Sequence, residues 1–199
     1  MNPTIALVTK LFPRTGYFIE CGAHDGVGDS NTYELEQLGW RGLCIEASNA
    51  FHGLRQSRKC SVDNRALWRT DGETIEFQEV SGEAIELSGI RQCFGDHWDR
   101  NARPHQIVPK LTVSLPTVLR EHGAPSVIEF FCLDTEGSEL EILHGHDFGA
   151  YKILTMLVEH NGVVKRADEL AEFLVPLGYT LEPPPNSIES WFVHRELRS

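Results

Sequence analysis

Four acids stand where strand-like runs of this chain end. Glu20 lies near the end of the Tyr17–Cys21 run, Glu46 closes Gly42–Glu46, Asp134 closes Val127–Asp134, and Glu159 closes Ile153–Glu159. Carboxylates gathered along one sheet edge hold back each other's ionisation, so they call for a cation, a hydroxyl-rich ligand or an amine. Beside the first acid runs Phe18-Ile-Glu-Cys-Gly-Ala-His-Asp-Gly26, then Gly28-Asp-Ser-Asn-Thr-Tyr-Glu34. A strand, a glycine turn and a helix N-terminus make a cofactor cradle, because glycines admit a ligand close to the backbone and the first helical N–H groups are free to donate. An ordinary βα turn is the bland alternative.

Glu46 follows Gly26 by 20 residues, at the end of the next strand. A carboxylate there can accept both hydrogens of a ribose diol, which admits adenosyl cofactors in general. A dinucleotide site wants G-x-G-x-x-G, whereas Gly22, Gly26 and Gly28 are spaced four and two apart. An acid at position 20 sits awkwardly beside a pyrophosphate. It suits a cationic ligand with an amino group, as S-adenosylmethionine has.

The elements that must position these groups read as alternating strands and helices. Residues 3–11 predict a helix, Tyr17–Cys21 a core strand, and Asn31 with Glu34 a capping box before a helix stopped by Gly39. Ala47–Ser57 predicts a helix, Cys60–Trp68 a third strand and Glu73–Val80 an outer strand. Ser81–Pro109 is irregular and carries Phe94-Gly-Asp-His-Trp-Asp-Arg100, where Phe94, His97 or Trp98 could meet a substrate under a lid or merely pack a surface loop. Ser114 starts a helix with Pro116 near its N-terminus, and Ser138 with Glu141 suggests another cap. A helix around Ala167–Leu174 precedes two final strands joined by Pro183-Pro-Pro-Asn186. Such alternation predicts an α/β fold, a mostly parallel sheet covered on both faces, whose last strand is antiparallel because the final turn is too short for a crossover.

The 199 residues suffice for one domain, with no visible boundary or repeat. A formal charge of -11 argues against nucleic acid or an anionic membrane as the main partner. Arg55, Arg58, Lys59, Arg65 and Arg69 could form a local basic patch, although a solvated face is the plainer reading. Neither a signal peptide nor a membrane span is predicted, so the expected compartment is the cytoplasm. Five scattered cysteines argue against a disulfide framework or a zinc site, and Cys21, Cys44 and Cys132 read as core residues. His144 and His146 read as surface residues.

The chain resembles the FkbM family of S-adenosylmethionine-dependent methyltransferases. The resemblance rests on Phe18–Gly26, Ser30-Asn-Thr32, Gly39–Glu46, Leu133-Asp-Thr-Glu-Gly-Ser-Glu-Leu-Glu-Ile-Leu143 and Val158-Glu-His160, and covers roughly residues 15–180. It implies a class I methyltransferase Rossmann-like sandwich, a seven-stranded mostly parallel sheet in the order 3-2-1-4-5-7-6 with strand 7 antiparallel, and an irregular substrate-loop insert around residues 81–109. It also implies O-methylation of a hydroxyl on a sugar, glycan or natural product. Carried onto this sequence, Glu20, Gly22, Ala23 and Asn31 line the methionine end. Glu46 holds the ribose, Asn64–Leu67 (including Ala66) lie near adenine, and Asp134 lies beside the transferred methyl. Asp134 and Glu159 are the candidate Mg²⁺ ligands, with His160 or Glu136 as the base. The partner implied is a small-molecule or glycan acceptor; a homodimer stays open. A non-catalytic adaptor of the same fold and a nucleotide-dependent oxidoreductase are the competing readings. The intact acids disfavour the first of these, and the glycine spacing and short length the second.

Overall fold

A computed structural model describes residues 2–94 and 103–198. Its main sheet has seven strands. β1 (Tyr17–Cys21) is central, flanked by β2 (Arg41–Ile45) and then β3 (Ser61–Asp63) on one side. On the other side come β8 (Val127–Leu133), β9 (Lys152–Glu159), β11 (Glu189–His194) and, at the edge, β10 (Tyr179–Glu182). β11 runs antiparallel to both its neighbours, while the remaining pairs are parallel. The short, proline-rich link between β10 and β11 forces that reversal.

Every residue of β1 is buried, as expected of a strand covered on both faces. Its alternation sorts two cores. Phe18 packs with Ile5 and Val8 of α1 (Pro3–Leu11), Leu35 of α2 (Tyr33–Gln37) and Leu54 of α3 (Phe51–Ser57). Ile19 and Cys21 face the opposite way. There they join Val118 and Leu119 of α4 (Leu115–Glu121), Ile142 and Leu143 of α5 (Glu139–His144), and Leu170 and Leu174 of α6 (Val164–Leu174). Glu20 therefore projects to the α1–α3 face, in register with Cys44 on one side and Cys132 on the other. Among the described residues, no helix is long and apolar enough to cross a membrane.

The architecture departs from expectation between β3 and α4. The segment predicted as one strand, Cys60–Trp68, breaks at Asn64–Arg65. β3 stays in the main sheet, and β4 (Ala66–Trp68) enters a second sheet of order β4-β7-β5-β6. β5 (Thr74–Val80) pairs antiparallel with β7 (His105–Ser114) and with the two-residue β6 (Gly89–Ile90). The irregular insert is thus shorter than residues 81–109, because its last part is strand. Pro109 hid that strand, since proline cannot donate to a ladder. β4 pairs only with Thr112–Ser114, so Pro109 lies where β7 has one partner, β5. Of the proposed lid cluster only Phe94 falls within the described residues; His97 and Trp98 lie outside them.

Two local expectations also change. Asn31 does not cap α2: Ser30 Oγ accepts from the N–H groups of Thr32 and Tyr33, and Glu34 instead accepts from the N–H of Asn2. His146 is buried, hydrogen-bonded to the Tyr151 carbonyl and packed edge-on against Phe148.

Candidate active site

The C-terminal ends of β1, β2 and β8 open into a cavity of about 460 Å³. That is within the range of small-molecule sites. Glu20, Gly22, Ala23, Asn31, Glu46, Ala66, Asp134 and Glu136 all line it, so most of the candidate residues converge. Phe77 of the second sheet and Glu86, Ser88, Gly89 and Ile90 supply further wall. The second sheet is what closes the cavity over the strand ends.

Gly22 is the knot of the site. Its φ is +77°, and a Cβ there would sit 1.6 Å from the Asp134 carbonyl oxygen. The N–H groups of Gly22 and Ala23 both donate to the Ile45 carbonyl, and Asp134 N–H donates to Cys21 O. Three strand ends are laced together at this turn, at a spacing that excludes any side chain.

Glu20 lines the cavity, but its carboxylate is largely committed to its own chain. Its oxygens accept from Ser30 Oγ (2.8 Å), Asn31 N–H (2.7 Å) and Thr32 Oγ1 (2.7 Å). Arg58 Nη1 donates to it at 3.2 Å. The Arg58 side chain is fully buried; it also bonds Glu36, Thr32 Oγ1 and Gly26 O. Glu20 and Arg58 thereby fold the Ser30-Asn-Thr32 turn over the β1 end of the cavity. Sequence reasoning gave Glu20 a ligand's amine as its counter-charge; the structure gives it Arg58. Arg58 was read only as part of a basic cluster, and that cluster disperses: Arg65 pairs with Asp63 and Glu121, and Arg69 with Glu141.

Glu46 is buried at the end of β2. One oxygen accepts from His24 N–H at 2.8 Å and the other from Ser48 N–H at 2.7 Å. Each oxygen keeps a lone pair for a further donor, as a diol-binding carboxylate requires. Asn64 departs from its expected place. Its amide turns back to the carbonyls of Glu46 and Ser48, outside the lining, while Arg65, Ala66 and Leu67 provide that wall.

At the far end Asp134 lines the cavity, backed by Glu139 and Glu159, which do not reach the lining. Asp134, Glu139 and Glu159 each offer an oxygen within 4.8 Å of the others. Glu189 pairs in register with Glu159 across β11 and β9. Burial pushes the Asp134 carboxyl up to about 8, reinforced by Glu136, Glu139 and Glu189, although a hydrogen bond from Glu159 opposes the rise. Burial raises Glu159 as well, followed by the charge of Asp134. Both carboxyls are thereby pushed toward the protonated form, and the two titrate as a coupled pair. Glu139 Oε1 is anchored by the N–H groups of Thr135 and Gly137 and by Thr135 Oγ1. Glu139 was visible as the last acid of Asp134-Thr-Glu-Gly-Ser-Glu139, whereas Glu189 carried no signal because only strand pairing brings it in.

Glu136 sits in the left-handed region, φ +62°, and lines the cavity. Such backbone is costly for a residue with a Cβ, and persists where surrounding structure fixes it. The neighbouring Gly137 has φ +113°, and a Cβ there would come 2.5 Å from the Cys93 carbonyl oxygen. His160 is not brought to the cavity. Its ring is buried behind the wall with Nδ1 accepting from Gly162 N–H, so its proposed part as base is not supported by its position.

No curated protein matches the chain. The family described as Methyltransferase FkbM domain matches it over residues 20–181, from the β1 acid to the β10 strand. That span contains the laced glycine turn, Glu46 and the Asp134–Glu159 pair, and the chain belongs to the FkbM-domain methyltransferase family.

Proposed function

We propose that the protein is an S-adenosylmethionine-dependent O-methyltransferase acting on a hydroxyl of a sugar, glycan or natural product. The observation that carries the reading is one cavity lined by a diol-type carboxylate, Glu46, at one end and by Asp134, backed by Glu159, at the other. The cofactor supplies an electrophilic methyl group on a sulfonium. Glu46 accepts from the ribose hydroxyls, and the Gly22–Ala23 backbone lets the amino-acid tail approach. Asp134 faces the reacting end. An alcohol attacks poorly unless its proton leaves as it reacts, and a carboxylate of raised affinity for protons is suited to take it. Glu159, behind Asp134 and outside the lining, tunes that affinity. Glu136 lines the acceptor side.

The same acids fit a hard divalent cation such as Mg²⁺: Asp134 and Glu159 as first assigned, with Glu139 as third oxygen donor. Such an ion would supply Lewis-acid activation of the hydroxyl. Full methyl transfer in EDTA would remove the ion from the reaction and leave Asp134 as sole base. The adaptor reading predicts a cavity that binds no cofactor. Calorimetry with S-adenosylhomocysteine separates the two: micromolar binding that Glu46→Ala weakens by a factor of about 10 or more supports the enzyme, in line with the loss of charge-assisted hydrogen bonds. No binding by the wild type sinks it. Labelled cofactor with a panel of hydroxylated acceptors then identifies the acceptor class.

A further inference from the structure

Two thiols meet just beneath the cofactor turn. Cys44, in β2, is fully buried, and its Sγ lies 3.6 Å from the Sγ of Cys60. Cys60 is half-buried and sits in the short link between α3 and β3. The catalytic proposal uses neither. Both touch the clamp that shapes the turn. Cys44 Sγ is 3.8 Å from Glu20 Oε2. Cys60 N–H donates to Glu36, the carboxylate that also receives Arg58 Nε.

We propose that Cys44 and Cys60 form an oxidisable dithiol, closed to a disulfide by a hydroperoxide, and that closure loosens the Arg58–Glu20 clamp on the cofactor turn. Sulfurs 3.6 Å apart are in van der Waals contact, and a disulfide needs about 2.0 Å. Cys44 is held inside the sheet between β1 and β3, so the approach falls on Cys60, which precedes β3. Moving Cys60 draws on its hydrogen bond to Glu36, and Arg58 is two residues away on the same backbone.

The chemistry divides by exposure. Cys60, the accessible thiol, attacks the peroxide: an S–O bond forms, the O–O bond breaks, and the thiol proton leaves with the departing oxygen as water or alcohol. Cys44 then attacks the sulfenic sulfur: the S–S bond forms, the S–O bond breaks, and the departing hydroxide takes the Cys44 proton as water. Two thiols lose two electrons and one peroxide gains them. Burial pushes the Cys44 thiol up, so it does not attack the peroxide first; it reacts second, against a sulfenic sulfur formed in contact with it. Cys93 is the other half-buried thiol. Burial lifts it to about 12, which makes it a slow competitor.

The test uses the full chain treated with hydrogen peroxide, alkylated after denaturation and mapped by mass spectrometry. The expected result is loss of two of the five free thiols, a peptide pair joined through Cys44 and Cys60, and full reversal by dithiothreitol. Cys60→Ser, a near-isosteric change at a half-buried position, should keep its remaining thiols free under the same treatment. Cys60 found as sulfinic acid or in an intermolecular dimer, with Cys44 still alkylated, overturns the dithiol. The second half of the proposal rests on the cofactor reading. Oxidised wild type should bind S-adenosylhomocysteine about 10-fold more weakly, with recovery on reduction, whereas peroxide-treated Cys60→Ser keeps its affinity. Unchanged affinity with the disulfide formed overturns the clamp. If the reduced protein binds no S-adenosylhomocysteine, the cofactor reading and the clamp fall together, and the peptide map still decides the dithiol.

Discussion

Replacing Glu20 by Ala should cost stability as well as ligand affinity. Sequence reasoning expects the opposite, a loss of binding with the domain intact, because it supplies no partner for the acid. In the structure the change strands a fully buried guanidinium. Arg58 keeps Glu36 but loses Glu20, and Ser30 Oγ, Asn31 N–H and Thr32 Oγ1 lose their common acceptor. Removing one partner of a buried pair costs about 3–5 kcal/mol. Near 200 residues each kcal/mol shifts the melting temperature by roughly 2–4 °C, so a fall of about 6–20 °C is expected. Urea unfolding at pH 7 measures the loss directly, and it should persist at high salt, since buried charges are weakly screened. Adding Arg58→Met to Glu20→Ala should restore part of the stability, because the buried cation left with Glu36 as its remaining carboxylate partner is then gone. A Glu20→Ala protein within about 1 kcal/mol of wild type would refute the clamp; together with abolished S-adenosylhomocysteine binding, it would return Glu20 to the role of ligand acceptor.

Gly22→Ala should give little or no soluble protein, because its Cβ would collide with the Asp134 carbonyl at 1.6 Å; a wild-type yield and melting curve would contradict the lacing of the three strand ends. Stability in chelator-treated protein should fall as pH rises from the ordinary carboxylate range toward about 8. Asp134 and Glu159 hold protons in the folded state that the unfolded chain releases, so the native state binds the excess protons across that window. Glu159→Gln should flatten this slope and stabilise the protein at pH 8; an unchanged slope by thermal melts at several pH values counts against the coupled pair. If Asp134, Glu139 and Glu159 hold Mg²⁺, millimolar MgCl2 should raise the melting temperature at pH 8, and Glu139→Gln should abolish the rise. No shift in wild type leaves the pair as a metal-free base.

Much of the main sheet was legible because its strands are apolar runs bounded by glycine turns, and β1, β2, β8 and β9 each carry an acid at or near the same end. Burial on both faces leaves no other pattern available to such strands. Of the second sheet only β5 was legible, as the outer strand expected at Glu73–Val80. β6 is two residues long, β7 contains Pro109, and the break between β3 and β4 falls in a continuous strand-like run. The acids at positions 20, 46, 134 and 159 could be found from their place along the chain. Their partners could not. Arg58 reaches Glu20 from the end of α3, and Glu189 meets Glu159 only because β11 lies antiparallel beside β9. Glu159 and His160 stand together at a strand end in sequence, yet the lining reaches neither of them, and Asp134 alone of that group faces it together with Glu136.

The break at Asn64–Arg65 also has a meaning for how such proteins diversify. The chain leaves the main sheet there and re-enters α4 after Ser114, and the two ends of that excursion are tied side by side: Ala66 pairs with Thr112 and Trp68 with Ser114. Asp71 adds a staple, accepting from Ser114 N–H and Thr117 Oγ1. An excursion whose ends are already clasped is a cassette. It can lengthen, shorten or be exchanged with little added closure entropy while the seven-stranded platform and its laced turn stay fixed. The cassette supplies Phe77 and the wall of Glu86, Ser88, Gly89 and Ile90. A change in the cassette therefore reshapes the cavity wall while the main sheet beneath it keeps its register.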